Sequence, residues 1–125
     1  MITSKLSNQG DLGELILTTE LVSRGLVVSI PFGSSHSYDL VVECKDGRLL
    51  KVQVKSTNRL KSKVSFKFNC IDKYIGKVDV LAFLCKDSWY FYDKDTMGKL
   101  AHYQSVIIRV DDVQKNNWGV FGCVV

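Results

Sequence analysis

The sequence predicts an α/β or α+β domain built on a central mixed β-sheet, and three features support this prediction. Residues 9 to 24 form one helical segment, with Ser7 or Asn8 as its cap and Gly25 as its stop signal. Short segments rich in Val, Ile and Phe follow, and such segments are typical of strands. The segment at 78–85, VDVLAFLC, is almost continuously apolar, which predicts a strand buried on both faces.

The other elements are predicted from apolar patterns and from the turns between them. Further strands are expected at 26–30, 38–44, 48–56, 64–69, 89–92 and 106–110, with a short helix or turn at 71–77 and a helical segment at 95–104. Residues 32–37 form a polar loop after Pro31, residues 58–63 form a basic loop, and the tail NNWGVFGCVV is ambiguous. A chain of 125 residues is expected to form a single domain, residues 1–125.

Composition and residue spacing argue against a membrane protein, a secreted protein and a zinc-binding protein. The chain is 46% hydrophobic and 24% charged, which is ordinary for a globular domain. It contains no run of 18 apolar residues and no apolar stretch near its start, so we expect an intracellular, cytoplasmic protein without a membrane partner. The cysteines lie apart from one another and from His36 and His102, which predicts reduced core thiols and no zinc site: Cys44, Cys70, Cys85 and Cys123.

The positive charge is concentrated in the middle of the chain. Net charge is +4, and ten of the seventeen Lys and Arg residues lie between Lys45 and Lys77, where only Asp46 and Asp72 oppose them. A basic segment on one side of a small domain indicates a polyanionic partner. A solvated basic face without a ligand explains the charge equally well.

The stretch YDLVVECKDGRLLKVQVKST, residues 38–57, predicts two paired strands that carry polar residues. A three-residue turn, Lys45-Asp46-Gly47 with Gly47 left-handed, pairs Asp39 with Gln53. It also pairs Leu40 with Val52 and Val42 with Leu50, which keeps the apolar side chains on one face. A slip of one residue would disrupt both the apolar pattern and the polar cluster, so we predict this register.

The predicted register gathers a carboxylate, an amide and an amine: Asp39, Gln53 and Lys55. Two oxygen ligands suit a hard divalent cation such as Mg²⁺, and a lysine beside them can neutralise a phosphate, so the cluster fits phosphodiester hydrolysis. Glu14 is the best second carboxylate, because it shares a helix stripe with Leu17 and Leu21. Glu20 is the alternative, and a surface role for Glu14 near the helix N-terminus stays open.

At these residues the chain resembles the PD-(D/E)XK nuclease superfamily. The helix bearing Glu14, a strand, Tyr38-Asp39 and then Gln53-Val54-Lys55 follow the superfamily's order, but Gln53 stands where an acid is usual. The quoted stretch is similar to small nucleases encoded in group I introns, which tolerate Gln at this place. The segments GDLGELILTTELVSRGLVVSIPFG and VDVLAFLCKDSWYFYD resemble the flanking elements, so the resemblance covers roughly residues 9 to 95. Archaeal Holliday-junction resolvases share the layout.

The resemblance implies a restriction-endonuclease-like core with a central mixed sheet flanked by helices. It implies that Glu14, Asp39 and Gln53 are metal ligands and that Lys55 is the catalytic lysine. The expected cofactor is Mg²⁺, for which Mn²⁺ substitutes. One domain of this size carries one site, so cutting two strands or two arms of a junction calls for a homodimer or homotetramer.

Several polar residues near this cluster are candidate DNA contacts. They comprise the loop residues Ser34, Ser35 and His36, the strand-end residues Ser56 and Thr57, and the basic run Arg59, Lys61, Lys63 and Lys67. A solvated loop and ordinary strand-end residues explain the first two groups equally well. A general-base role for His36 is a minor option, as is metal support by Asp79. We expect core roles for the aromatic residues Phe66, Phe68, Trp89, Tyr90 and Tyr92.

The sequence therefore predicts a Mg²⁺-dependent DNA endonuclease, of a homing type that cuts both strands at a specific site. A structure-specific Holliday-junction resolvase acting on four-way junctions is the first alternative. The second is a non-catalytic DNA-binding module that kept the nuclease fold. The third is an unrelated α/β domain in which Asp39 and Lys55 form a structural ion pair.

Overall fold

The computed structural model of the chain describes residues 9–33, 36–69, 71–100 and 104–123, with the backbone alone described at 9–11. The strands of these residues are β1 (Val27–Ser29), β2 (Leu40–Glu43), β3 (Leu49–Thr57), β4 (Ser65–Phe68), β5 (Val80–Cys85), β6 (Ser88–Tyr92) and β7 (Val106–Arg109). The helices are α1 (Gln9–Ser23) and α2 (Lys94–Met97), with 3₁₀ turns at Asp72–Tyr74, Gly98–Leu100 and Trp118–Phe121.

A mixed sheet of five strands forms the centre of the fold, as the sequence predicts. Its strand order is β1-β2-β3-β5-β6, with β3 and β5 parallel and the other neighbours antiparallel. The strands β4 and β7 form a separate antiparallel pair. All residues of β5 are buried, which confirms the strand buried on both faces.

The predicted register of β2 and β3 is confirmed. Leu40 lies opposite Val52 and Val42 lies opposite Leu50. Cys44 N–H donates to the Arg48 carbonyl at 2.8 Å, which closes a three-residue turn. Gly47 has φ +90° in that turn, a conformation that glycine adopts without the steric cost of a Cβ atom.

Two buried clusters pack on opposite faces of the five-stranded sheet. The helix-side core packs under α1 and consists of Leu17, Leu21, Leu26, Leu40, Val42, Cys44, Val52, Val54, Val80, Ala82, Leu84, Trp89, Phe91, Trp118 and Phe121. The small-sheet core consists of Phe66, Phe68, Ile71, Tyr74, Val78, Leu81, Phe83, Cys85, Tyr90, Tyr92, Met97, Val106 and Ile108. One helix thus covers one face, and the β4–β7 pair covers most of the other.

The predicted roles of the aromatic residues are confirmed. Phe66 and Phe68 are buried while Lys67 between them is exposed, so these rings belong to the core. Trp89, Tyr90 and Tyr92 are buried as well. The Tyr90 hydroxyl donates to the Val110 carbonyl at 2.8 Å and the Tyr92 hydroxyl to Asp112 at 2.9 Å, as buried hydroxyls require.

The helix predicted at 95–104 is wrong in its length. It begins at Lys94 after the Asp93 side chain caps it, and α-helical structure ends at Met97. A 3₁₀ turn at Gly98–Leu100 follows. Glycine weakens a helix interior by about 1 kcal/mol relative to alanine, which the apolar pattern alone did not take into account. The remaining residues 101–103, with His102, lie outside the described residues.

The thiols behave as core residues where they are described. Cys44 and Cys85 are buried, Cys123 is partly buried, and all three are free thiols, as predicted. Burial raises the pKa of Cys85 to about 12 and that of Cys44 above its ordinary value, which disfavours the thiolate. Cys70 and the proposed caps Ser7 and Asn8 lie outside the described residues.

Across the part of the chain that the structure describes, every helix is too short or too polar to cross a lipid bilayer.

Candidate active site

Asp39 is held in place by two hydrogen bonds to β3. It immediately precedes β2, and its N–H donates to the Val52 carbonyl at 2.8 Å. Its carboxylate Oδ2 accepts a hydrogen bond from Val54 N–H at 3.0 Å. The side chain therefore extends the pairing with β3 and has a defined orientation.

Glu14 lies near Asp39 but belongs to a different element, the helix α1. It lies in the first half of α1, where Leu17 and Leu21 anchor the helix in the helix-side core with no exposed surface. Glu14 is half-buried. Together with Asp39 it lines a cavity of about 130 Å³, whose other walls are Ile30, Pro31, Gly33, His36 and Tyr38. The structure thus brings together two of the carboxylates selected from the sequence.

The close approach of α1 to β3 depends on Gly13, which sequence reasoning missed. A Cβ atom at this position would lie 3.3 Å from Ser56 Oγ and 3.5 Å from Val54 Cγ1. The first distance is tighter than ordinary contact and the second is ordinary, so a side chain at position 13 would require Ser56 to shift by a small amount. Gly13 therefore suits the close packing of α1 on β3 beside Glu14.

Gln53 is buried beside Asp39. Only 8% of it is exposed, and its Nε2 donates to the Val54 carbonyl at 3.3 Å. Asp39 and Gln53 thus bind the N–H and the C=O of the same residue. Because the amide nitrogen points at a carbonyl, the amide oxygen Oε1 is the atom suited to bind a cation.

Lys55 lies two residues after Gln53 on β3 and therefore on the same face of the sheet as Gln53, opposite to Val54. Val54 packs in the helix-side core, whereas the Lys55 ammonium lies over the ring of Tyr74, 4.8 Å from its centroid. Lys73 lies 5.1 Å from the same centroid. Tyr74 was not identified from the sequence, because a contact between residues on different elements leaves no local pattern. The cavity shared by Glu14 and Asp39 is not lined by Lys55.

The donor set fits a hard divalent cation. Two acids line one small cavity, and a buried amide lies on the adjacent strand β3; carboxylate and amide oxygens are ligands that Mg²⁺ prefers. A cavity of about 130 Å³ also leaves room for water, whose share of liquid volume is about 30 Å³ per molecule. Among the described residues, no group of three or more His, Cys, Asp and Glu side chains could hold a metal. Of the three ligand candidates, Gln53 is the neutral one, and it does not line the cavity of Glu14 and Asp39.

Two other acids have different surroundings. Glu20 pairs with Arg24 at 3.1 Å on α1 and does not line the cavity of Glu14. Asp79 accepts a hydrogen bond from Lys51 N–H at 2.8 Å and pairs with Lys94 at 3.1 Å. Burial would raise the pKa of Asp79, but the hydrogen bond and the two lysines outweigh it and lower the pKa below its ordinary value. The Asp79 carboxylate therefore makes structural contacts with Lys51 and Lys94.

The loop and strand-end candidates surround the cavity in part. His36 is exposed, lines the cavity, and its Nε2 lies 2.7 Å from the Phe32 carbonyl, which makes that nitrogen the donor. Ser56 and Thr57 are half-buried at the end of β3, and the Thr57 hydroxyl accepts from Arg59 N–H at 3.2 Å. Ser34 and Ser35 lie outside the described residues.

The basic run beyond β3 faces water. All four of its side chains are exposed, so they are accessible to a partner: Arg59, Lys61, Lys63 and Lys67. Lys61 is also fixed through its backbone, because its N–H donates to the Ser65 carbonyl at 2.8 Å. The run therefore begins on a loop anchored to β4 and continues onto the exposed face of that strand.

Comparison with known proteins identifies relatives at the level of family and fold. Residues 4–119 match the family described as PD-(D/E)XK endonuclease. No curated protein matches the chain significantly. The bacterial homing endonuclease I-Ssp6803I has a similar structure, with a TM-score of 0.74 and 20% identity over 90% of this chain and 87% of that chain. This likeness confirms the restriction-endonuclease-like fold that the resemblance implied.

A second solved structure matches more weakly. It is Hjc, a Holliday junction resolvase from the archaeal hyperthermophile Archaeoglobus fulgidus. The TM-score is 0.48 and the identity 20%, over 70% of this chain and 75% of that chain.

Proposed function

This chain belongs to the PD-(D/E)XK endonuclease family, and we propose that it is a Mg²⁺-dependent DNA endonuclease that hydrolyses phosphodiester bonds. The observation that carries the proposal is the cavity shared by Glu14 and Asp39, from two separate elements. The strand beside it carries Gln53 and Lys55 at the spacing of the family's motif, with Gln53 in place of the usual acid.

Glu14, Asp39 and the Gln53 amide oxygen would hold the cation, and Mn²⁺ would substitute for Mg²⁺. A bound Mg²⁺ supplies charge that polarises a phosphate and lowers the pKa of a coordinated water. Asp39 is preoriented by the 3.0 Å hydrogen bond from Val54, so little reorganisation is needed to present its carboxylate.

The remaining residues act on the DNA. The Lys55 ammonium, which lies beside the Tyr74 ring on the same strand as Gln53, would supply positive charge for the phosphate under attack. The exposed basic run of Arg59, Lys61, Lys63 and Lys67 would bind the DNA backbone, which gives affinity that falls with salt and carries no sequence information.

The finer proposal is a homing-type enzyme that cuts both strands of duplex DNA at a specific site. The Gln53-Val54-Lys55 motif favours it, since Gln in place of the acid is the feature shared with the intron-encoded subgroup. Cutting two strands takes two sites, so the working form would be a homodimer or homotetramer. A Holliday-junction resolvase is the alternative substrate class for the same site.

Cleavage of two labelled substrates tests the proposal and separates these classes. Wild-type protein, Lys55→Ala and Lys99→Ala would be incubated in Mg²⁺ with a synthetic four-way junction and with a random duplex pool. Lys99 is an exposed lysine outside the site and serves as the matched control. Discrete duplex products that vanish only in Lys55→Ala support the homing type, and junction cleavage with the same dependence supports the resolvase.

A non-catalytic DNA-binding module is the second candidate, and Gln53 is the observation that favours it. A neutral ligand leaves two carboxylates where the family motif has three acids. DNA binding without Lys55-dependent cleavage of either substrate, in Mg²⁺ or in Mn²⁺, would replace the endonuclease proposal by this one.

A Gln53→Glu variant tests what the neutral ligand does. Restoring the third carboxylate should lower the Mg²⁺ concentration needed for half-maximal cleavage by about tenfold, since ligand charge controls affinity for hard cations. The measurement is a Mg²⁺ titration of the cleavage rate, with Gln104→Glu as a control at an exposed glutamine. An unchanged metal dependence would count against Gln53 as a ligand.

A further inference from the structure

Phe32 is the most exposed of the large apolar side chains in the described ranges. Its exposed fraction is 100%, and the next values are 88% for Val113 and 69% for Ile30. A phenylalanine ring held fully in water forgoes the burial that is the main favourable term in folding. An isolated exposed apolar residue is common, so the position of the ring and its support decide whether it has a role.

The neighbours of Phe32 and one hydrogen bond define the backbone conformation at this position. Pro31 precedes it with a fixed φ, and Gly33 follows it with φ +90°. The Phe32 carbonyl accepts a 2.7 Å hydrogen bond from His36 Nε2, and the His36 ring packs against Tyr38 at 5.4 Å between centroids. The Phe32 carbonyl is therefore held by His36, while the Phe32 side chain stays in water.

The ring stands at the rim of the candidate active site. Pro31 and Gly33, on either side of Phe32, both line the cavity that contains Glu14 and Asp39. Phe32 itself does not line the cavity and projects into solvent. DNA whose backbone entered the cavity would therefore pass close to this exposed ring.

We propose that Phe32 is a DNA wedge, whose ring inserts between neighbouring bases beside the phosphodiester that enters the cavity. An apolar side chain between base steps unstacks them and kinks the duplex, which opens the backbone to an enzyme. Aromatic stacking accepts every base, so the wedge adds affinity without reading sequence. The proposal rests on the proposed function, because it takes DNA as the partner of the adjacent cavity.

Tryptophan fluorescence tests the wedge directly. Trp89 and Trp118 are 5% and 7% exposed, so the wild-type protein gives a buried background signal. Phe32→Trp would place a new indole at the rim, and Val113→Trp would place one at a comparably exposed site as the matched control. Each protein is titrated in Ca²⁺ with a mixed-sequence duplex and with a four-way junction, and a gel shift records binding.

The wedge predicts that bound DNA lowers the emission of Phe32→Trp by about half or more and shields it from acrylamide, because the indole stacks on bases. Val113→Trp and wild type should stay unchanged. In parallel, Phe32→Ala should weaken DNA binding on the order of tenfold relative to wild type. The affinity of Phe32→Leu should lie between those of wild type and Phe32→Ala.

Unchanged emission and acrylamide access in Phe32→Trp, with DNA bound, would overturn the wedge. If wild type cuts DNA while Phe32→Ala binds and cuts equally well, the wedge fails and the endonuclease stands. If Phe32→Trp is quenched by DNA that wild type never cuts, the wedge stands and the endonuclease fails. Absence of DNA binding by every protein would overturn both.

Discussion

At the scale of single residues, Asp39 combines a structural contact with its proposed role as a ligand. Its Oδ2 accepts a 3.0 Å hydrogen bond from Val54 N–H, and its carboxylate also faces the cavity shared with Glu14. An amide can accept the same hydrogen bond but carries no charge. The two roles can therefore be separated by substitution.

Asp39→Asn should keep the fold and lose cleavage, whereas Asp39→Ala should lose both the hydrogen bond and cleavage. Leaving Val54 N–H without its acceptor costs about 1–3 kcal/mol, so the alanine variant should unfold at lower denaturant. Denaturant unfolding and cleavage in Mg²⁺ check this, with Asp95→Asn as a control at an exposed acid. Full cleavage by Asp39→Asn would contradict the ligand role.

Tyr74 is expected to position Lys55, whose ammonium lies 4.8 Å from the centre of its ring. The face of an aromatic ring attracts a cation by about 0.5–2 kcal/mol. Tyr74→Phe keeps the aromatic ring face and should cleave DNA like wild type. Tyr74→Leu keeps an apolar side chain but has no ring face, so it should lower kcat several-fold with KM unchanged.

The measurement is steady-state cleavage by Tyr74→Phe and Tyr74→Leu at matched stability. Because Lys73 shares the ring at 5.1 Å, Lys73→Ala is the control for a change in local charge alone. Equal kcat for the phenylalanine and leucine variants would show that the ring only fills space.

At the scale of elements, Asp79 joins three pieces of the fold. Its carboxylate accepts from Lys51 N–H on β3 at 2.8 Å and pairs with Lys94 on α2 at 3.1 Å. Its own N–H, just before β5, donates to the Lys51 carbonyl at 2.8 Å. The side chain thus fastens the parallel β3–β5 pair, to which the site strand belongs.

Asp79 should make stability depend on pH. Its pKa in the folded state is lowered from the ordinary value of 3.8, so the ionised group adds stability above that value. This contribution is lost as the pH falls through the lower folded pKa. Asp79→Ala should therefore be less stable by about 1–3 kcal/mol near neutral pH and should differ less from wild type near pH 2.

Unfolding free energies of wild type and Asp79→Ala, measured across this range, check the prediction. Lys94→Ala isolates the ion pair and should account for only part of the loss, because Lys94 is largely exposed and the Lys51 hydrogen bond remains. A difference between wild type and Asp79→Ala that stays constant with pH would contradict the assignment.

Local patterns predicted the elements and the β2–β3 register, but they did not predict contacts made across the fold. The register followed from alternation and from Gly47, which are both local in sequence. The contact between Lys55 and Tyr74 depends on how the Asp72–Tyr74 turn packs against β3, which no periodicity encodes. The role of Gly13 could not be predicted from a local pattern either, because that role is the space it leaves beside Ser56.

The ambiguous C-terminal tail shows the same limit. Trp118 and Phe121 lie in a 3₁₀ turn and complete the helix-side core, with Phe121 5.0 Å from the Phe91 ring. Arg24 at the end of α1 lies 4.1 Å above the Trp118 ring. Such packing is set by the whole fold, and a four-residue segment contains too few positions to show a period.

At the scale of the whole molecule, the candidate site lies at one end of the β2–β3 pair. The start of α1 approaches β3 at Val54 and Ser56 through Gly13, and the far end of α1 approaches Lys45 in the hairpin turn through Gly25. The helix therefore spans the pair from the site to the turn. Glu14 and Asp39 meet because the start of the helix and the start of β2 lie at the same end.

Glu14 and Asp39 line one cavity and are proposed to form together the site that cleaves DNA. The most direct test compares cleavage in Mg²⁺ by wild type, Glu14→Gln and Glu20→Gln on the duplex pool and on the junction. Both acids lie on α1, but Glu20 pairs with Arg24 and does not line the cavity. We expect at least about a hundredfold loss of cleavage in Glu14→Gln and wild-type rates in Glu20→Gln, since only the first substitution removes a charge from the proposed site. Equal cleavage by Glu14→Gln and wild type would contradict it.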